Sequence, residues 1–399
     1  MRYLFYSHDG MGLGHTRRHL AVAEALTELS PEATILLVTG ANGISRLGLP
    51  PNVEILKLPS IRKVANGEYS SRSLGVSPQD IRELRSKLLL TAVKIFQPTV
   101  VLVDKHPFGA GGEFKAGLKA LRRQGGRAAL GLRDILDEPA HVLSEWRPFR
   151  MQHRIAKYYD EVFIYGQRAI LDPIEAYQFP PSLVARTRFC GYVVNRECTN
   201  ELVDFRTVLP DPINDPRPIV LATAGGGEDG FALLESFMHA AAGAPWHGLV
   251  VAGPMTPDPE MRRLTQLAVA NGVTLRQFVP QLPTLFKSVA ALVSMGGYNT
   301  IAEAVSQGVP TVCVPRITPR TEQLIRAEAF QRLGLLHSVH PSQLDPQALR
   351  DQIAAAIATP RNQLLQRANQ QLRFDGAQQA ARNLLELAAT VTLSEFAVA

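Results

Sequence analysis

At 399 residues, 46% hydrophobic and 20% charged, the chain has the composition of a soluble globular protein and length enough for two cores. No run approaches the roughly 20 apolar residues of a membrane span, the first residues enter a strand with no signal peptide, and three cysteines (Cys190, Cys198, Cys313) lack metal-ligand spacing; a reducing, cytoplasmic setting is expected. The formal charge of +6 is uneven, with 26 Lys/Arg against 18 Asp/Glu in residues 1–194 and 16 against 18 thereafter.

Short β-rich runs alternate with helical stretches from end to end, which predicts an α/β protein with parallel sheets. In the first half the expected strands are Tyr3–Ser7, Thr34–Thr39, Val53–Leu58, Thr99–Asp104, Arg127–Leu132, Glu161–Tyr165 and Thr187–Gly191. Helices are expected at His15–Leu29, Pro78–Phe96 and Gly111–Gln124, and Pro59–Ser77 reads as a polar surface loop able to close over a substrate. The rhythm weakens after Gly191, and the breaker Pro210-Asp-Pro-Ile-Asn-Asp-Pro-Arg-Pro precedes a new strand, Ile219–Thr223. Strands then follow at Leu249–Ala252, Val273–Phe278, Ala290–Val293 and Thr311–Val314, and helices at Pro346–Ala358, Arg361–Arg373 and Ala377–Ala388. The expected division is residues 1–191, a linker 192–217, residues 218–374, and a C-terminal segment 375–399 whose helix packs back on the first domain.

Three glycine turns carry the chemistry. After strand Ala290–Val293, Gly296-Gly297 opens the helix Tyr298–Ser306, whose unpaired N-terminal amides beside side-chain-free residues suit a phosphate or diphosphate. Glu303 stands farther along that helix, displaced by roughly the size of a ribose, where a carboxylate accepts hydrogen bonds from vicinal hydroxyls. Ala224-Gly225-Gly226-Gly227 repeats the strand–glycine–helix pattern. In the first loop, Gly10-x-Gly12-x-Gly14, neither the glycine spacing nor the end of strand two suits a dinucleotide fold.

The ordered set Gly296, Gly297, Asn299, Thr300, Glu303, Gly308, Pro310, Glu322, Gln323 resembles the nucleotide-sugar half-site of GT-B glycosyltransferases, especially the MurG-like family. That resemblance implies two Rossmann-like domains facing across a cleft and transfer of a sugar from a nucleoside-diphosphate sugar, a UDP-sugar first. It implies a turn at Gly296 and Gly297 with Asn299 and Thr300, a ribose contact at Glu303, and sugar contacts at Glu322 and Gln323. It further implies pyrophosphate at Gly225 and Gly226, base contacts at Phe278 and Val279, and no metal or other cofactor. The loop carrying Gly12 and Gly14 resembles the family's Gly-x-Gly-Gly-His loop, with Leu13 in place of one glycine.

Displacement at an anomeric carbon needs a base on the acceptor side and positive potential at the departing phosphate. His15, at a helix start beside glycines, is the expected base, with a helix cap as the bland alternative. Asp104, His106, Arg133 and Asp134 follow strong strands and are expected in the cleft as base partners or acceptor contacts. Arg316 and Arg320 are candidates for the phosphate. No Asp-x-Asp motif offers a metal site. The basic N-terminal half suits an anionic or lipid-linked acceptor or peripheral contact with an acidic membrane surface, or equally a plain solvated face; no zinc-finger or RRM-like motif suggests nucleic acid. Two further readings stay open. One is a non-hydrolysing nucleotide-sugar 2-epimerase, since Pro315-Arg-Ile-Thr-Pro-Arg-Thr-Glu resembles that family's loop. The other is a nucleotide-sugar-binding protein without turnover.

Overall fold

The computed structural model describes residues 1–8, 14–42, 48–65, 68–195 and 215–396. In the N-terminal half, strands β1 (Arg2–Ser7), β2 (Thr34–Thr39), β3 (Val53–Lys57), β6 (Val100–Asp104), β7 (Arg127–Arg133), β8 (Glu161–Tyr165) and β9 (Thr187–Phe189) form one parallel sheet in the order β3-β2-β1-β6-β7-β8-β9. β6 is buried along its whole length, as expected of a strand covered by helices on both faces. The expected loop Pro59–Ser77 instead contains an antiparallel hairpin, β4 (Ile61–Ala65) with β5 (Glu68–Ser71). Its alternation is hidden by polar residues, and Ile61 is the side chain it buries against Ile81 and Ala110. Helix Pro78–Phe96 starts where Ser77 accepts a hydrogen bond from the Asp80 amide and Pro78 fixes the first turn, and it stops at Gln97 in the left-handed region.

The C-terminal half repeats the plan with β10 (Ile219–Thr223), β11 (His247–Val251), β12 (Thr274–Arg276), β13 (Ala291–Ser294), β14 (Thr311–Cys313) and β15 (His337–Ser338) in the parallel order β12-β11-β10-β13-β14-β15. This is the GT-B arrangement of two parallel-sheet α/β domains. In each sheet the order reverses direction beside its first strand, which is where open α/β sheets bind ligands. Register fixes what meets there. Ser7, Asp104 and Gly131 pair in one row, so the loops after β1, β6 and β7 leave the sheet at one level. Thr223, Ser294 and Cys313 pair likewise, which sets the loops after β10, β13 and β14 together.

The two halves share a core. Tyr192 stacks on Tyr298 at 5.6 Å and meets Phe330 edge-on, while the Tyr298 hydroxyl accepts from the Val193 amide at 3.0 Å. The long C-terminal helix Gly376–Phe396 returns to the N-terminal domain, burying Ala380, Ala381, Leu384 and Ala388 in the same cluster as Leu20, Ala21 and Val22 of helix Gly14–Leu29. The two chain crossings between domains are bonded to each other, Tyr192 N to Arg373 O at 2.8 Å and Gly376 N to Tyr192 O at 3.0 Å. A Cβ on Gly376 would lie 2.6 Å from the Tyr192 carbonyl, so this approach requires glycine. Among the described residues no helix is long and apolar enough to cross a membrane.

Candidate functional site

Between the domains lies a cavity of about 1050 Å³, the upper end of the range for small-molecule sites. Its floor is set by two glycine turns. Gly225 and Gly227 have φ of 65° and 96°, and Gly253 at φ 111° packs so closely that a Cβ would stand 2.6 Å from the Gly226 carbonyl carbon. The helix Tyr298–Ser306 begins after Gly297 with no side-chain cap, leaving its first amides for a ligand. Glu228 and Asp229 stand just before the helix Phe231–Ala241.

Of the sequence-predicted residues, Gly225, Gly226, Phe278, Val279, Asn299, Thr300 and Glu303 all line this one cavity, as does Gly14 from the N-terminal domain. The structure thus brings together residues up to about 290 positions apart in the sequence. Glu303 is 4% exposed, its Oε2 buried with no partner among the described residues. Burial pushes its carboxyl up, and Arg17 pulls it back. Gly12 lies outside the described residues.

Others take different places. Gly297 is the N-cap of helix Tyr298–Ser306, whereas Gly296 lies behind it, against the Gln323 backbone. Gln323 accepts from the Arg316 amide at 3.0 Å, and Glu322 holds the Arg316 side chain at 2.8 Å. Arg316 also pairs with Asp229 at 2.8 Å, and Arg320 with Asp137 and Glu145 of the N-terminal domain at 3.1 and 2.8 Å. None of Glu322, Gln323, Arg316 and Arg320 lines the cavity, and each of the two arginines is paired with two carboxylates. Asp134, expected as a catalytic candidate, makes an interdomain contact in this structure. Fully buried, it accepts from Arg326 Nη2 and Nε at 2.6 and 2.9 Å and from the Tyr192 hydroxyl at 3.1 Å, which leaves its carboxylate no room for an acceptor.

A second group gathers at the ends of β1, β6 and β7. His15 Nδ1 stands 3.0 Å from Asp104 Oδ2, which also receives Arg18 Nη2 at 2.6 Å. Burial acts to raise the Asp104 carboxyl, but Arg18 and His15 outweigh it and hold the group far below the usual carboxylate range. An ionised Asp104 accepting Nδ1–H leaves Nε2 as the basic nitrogen of His15, while Arg18 also lies 2.9 Å from Nδ1. The His8 ring is 4.2 Å from that of His106 and 5.8 Å from that of His15. Burial, then the neighbouring imidazoles and basic side chains, holds His8 and His106 well below the usual histidine range, and burial with Arg133 and Arg320 brings Lys105 down to about 7. Burial and the positive charge of Arg326 and Arg18 also lower Arg133, whose Nε has no partner among the described residues.

Residues 247–386 match the glycosyltransferase family 28 C-terminal domain. That match marks the C-terminal half as a glycosyltransferase domain, and the chain as a whole is similar to GT-B glycosyltransferases of the MurG-like kind. Over 357 residues, 87% of each chain, it is 25% identical to the UDP-N-acetylglucosamine–N-acetylmuramyl-(pentapeptide) pyrophosphoryl-undecaprenol N-acetylglucosamine transferase of Limosilactobacillus fermentum. In fold it is similar to Acinetobacter baumannii MurG, at TM-score 0.57 and 15% identity over 96% of this chain and 99% of that one. It is similar as well to a putative UDP-N-acetylglucosamine 2-epimerase from Listeria monocytogenes, at TM-score 0.62 and 14% identity over 99% and 96%. The cavity also holds residues that the sequence did not single out: Arg17, Arg72, Met255, Gln281 and Phe286. Only Arg17 left a signal, three residues after Gly14 and so one helical turn into the cleft-facing end of its helix.

Proposed function

We propose that the chain transfers a sugar from a UDP-sugar to a hydroxyl acceptor, with inversion and without a metal. The observation that carries this reading is the single cavity in which Gly225, Gly226, Phe278, Val279, Asn299, Thr300 and Glu303 meet. Phe278 and Val279 would face the base, Glu303 the ribose hydroxyls, and the Asn299 and Thr300 amides the diphosphate. The acceptor hydroxyl attacks the anomeric carbon while its proton passes to His15 Nε2. The bond from that carbon to the β-phosphate oxygen breaks, and its electron pair leaves on the diphosphate. Asp104 stabilises the imidazolium so formed.

Arg133, with Lys105 beside it, supports an anionic acceptor, and the basic N-terminal half supports approach to an acidic membrane surface. The curated relative from Limosilactobacillus fermentum has, by its name, a pyrophosphoryl-undecaprenol acceptor, which agrees with both. The epimerase reading relied on Arg316, Arg320 and Glu322, and their position outside the cavity favours transfer.

Thermal shift with UDP-, GDP-, dTDP- and ADP-sugars tests the donor. A true donor at about 100 times its dissociation constant adds roughly 2.7 kcal/mol of stability. Glu303→Ala should abolish the shift, whereas His15→Ala should keep it and lose transfer. If no nucleotide sugar moves the melting temperature, the reading fails; if the chain interconverts a nucleotide sugar with no acceptor present, it is an epimerase.

A further inference from the structure

The cavity presents an electrostatic problem. A departing nucleoside diphosphate needs positive charge beside it, yet Arg316 and Arg320 are each held by two carboxylates outside the cavity. Among the described residues, Arg17 and Arg72 are the cations that line it, against Glu24, Glu28 and Glu303. Arg72, in the segment that follows β5, stands 3.9 Å from Glu228. Arg17, one turn into helix Gly14–Leu29, makes the closer pair and makes it with a candidate donor contact, Nη2 to Glu303 Oε1 at 2.7 Å.

Position makes that pair more than a strut. Gly14, at the start of the Arg17 helix, touches Asn299, whose Nδ2 donates to the Gly14 carbonyl at 3.0 Å. Glu303 is four residues beyond Asn299 on the same helix, about 6 Å along its axis. The Arg17 guanidinium therefore sits within a side-chain swing of the amides that suit a diphosphate. The arginine is 30% exposed while Glu303 is 5%, so the pair joins a guanidinium that solvent and ligand can reach to a buried carboxylate. The fully buried Asp134–Arg326 pair already ties the domains.

We propose that Arg17 is a diphosphate-binding arginine, held on Glu303 until the donor's ribose hydroxyls claim that carboxylate and release the guanidinium to the phosphates. This rests on the donor-site reading above and adds to it a cation from the opposite domain. The nucleoside half of the donor frees Arg17, and the diphosphate half captures it. The contact strengthens as the anomeric carbon–oxygen bond breaks and negative charge collects on the leaving phosphate.

Isothermal titration of the full chain with UDP and with uridine separates the possibilities; GDP with guanosine and dTDP with thymidine are titrated in parallel, and the pair that binds wild type is used. A charge-assisted contact to phosphate predicts that Arg17→Ala weakens the nucleoside diphosphate by about 10- to 100-fold, while the nucleoside binds unchanged or more tightly. Arg17→Lys should recover most of the loss, and Glu303→Gln should weaken both ligands while leaving the diphosphate preferred. Equal losses for nucleoside and diphosphate in Arg17→Ala, or no loss in either, would overturn the proposal while leaving the donor site standing. A wild-type chain that binds none of the three nucleoside diphosphates refutes the donor reading and this inference with it.

Discussion

Lys105 holds the left-handed backbone conformation at the end of β6, φ 67°, among Arg133, His106 and His8. Burial, reinforced by Arg133 and Arg320, brings its ammonium down to about 7. The unfolded chain, with an ordinary lysine, binds more protons than the native one between about pH 7 and 10.5, so stability rises with pH across that window. Below pH 7 the native protein bears the whole cost of a buried charge. Lys105→Met should therefore stabilise the chain at pH 6 by on the order of 1–2 kcal/mol, less than the shift alone implies because the side chain keeps some solvent contact. The gain should fade as pH climbs from 7 towards 10, followed by chemical denaturation at several pH values. A gain independent of pH would mean that Lys105 holds its proton in the native cluster as an ordinary lysine does. At this scale the sequence shows residue type but not neighbour. Asp104 and His15 are both legible as candidates, yet the arginine that fixes the charge of Asp104 is not.

Helix Glu322–Arg332 shows what an element contributes beyond its sequence. Its apolar periodicity is weak, and its sequence predicts only a polar cluster opening a helix. Arg326 anchors it, donating to Asp134 at the end of β7 and to the Gly296 carbonyl at 2.8 Å, so one side chain links both sheets and the glycine turn before helix Tyr298–Ser306. Asp134→Asn should cost about 3–5 kcal/mol, because it leaves a buried guanidinium without its counter-ion. The paired replacement Asp134→Leu with Arg326→Met should recover most of that loss in urea unfolding, and it should keep transfer activity per folded molecule. Activity lost in a pair variant of full stability would return Asp134 to the chemistry. The strands and glycine turns of both domains are legible because their signals are local: buried β-branched runs, then glycines, then small polar residues. The Asp134–Arg326 contact spans 192 positions and leaves no such trace. The β4–β5 hairpin escapes for a related reason, since its short strands carry more polar than apolar residues.

For the molecule as a whole, the uneven charge and the cleft point the same way. Residues 1–194 carry 26 Lys/Arg against 18 Asp/Glu, and the stretch from Ile61 to Leu84 exposes Val64, Leu74, Val76 and Leu84 near exposed Arg62 and Arg82. Two forces could hold such a surface on a bilayer, and salt distinguishes them. Each cation near an anionic leaflet contributes about 1 kcal/mol, but the attraction is screened over about 8 Å at physiological ionic strength and about 3 Å at 1 M. Burial of apolar side chains is not weakened by salt. The same segment includes Asp80 and Glu83, so its own charge is modest and the wider N-terminal field must supply most of the pull. Co-sedimentation should therefore find the chain on vesicles containing phosphatidylglycerol at about 0.1 M salt, absent from neutral vesicles, and released near 1 M. Leu74→Ser with Val76→Ser should reduce the bound fraction while leaving nucleotide binding intact, since neither side chain lines the cavity. Binding that survives 1 M salt would make apolar insertion the stronger of the two forces. No binding even at low salt would remove the membrane from the account and leave the basic face to a soluble anionic acceptor.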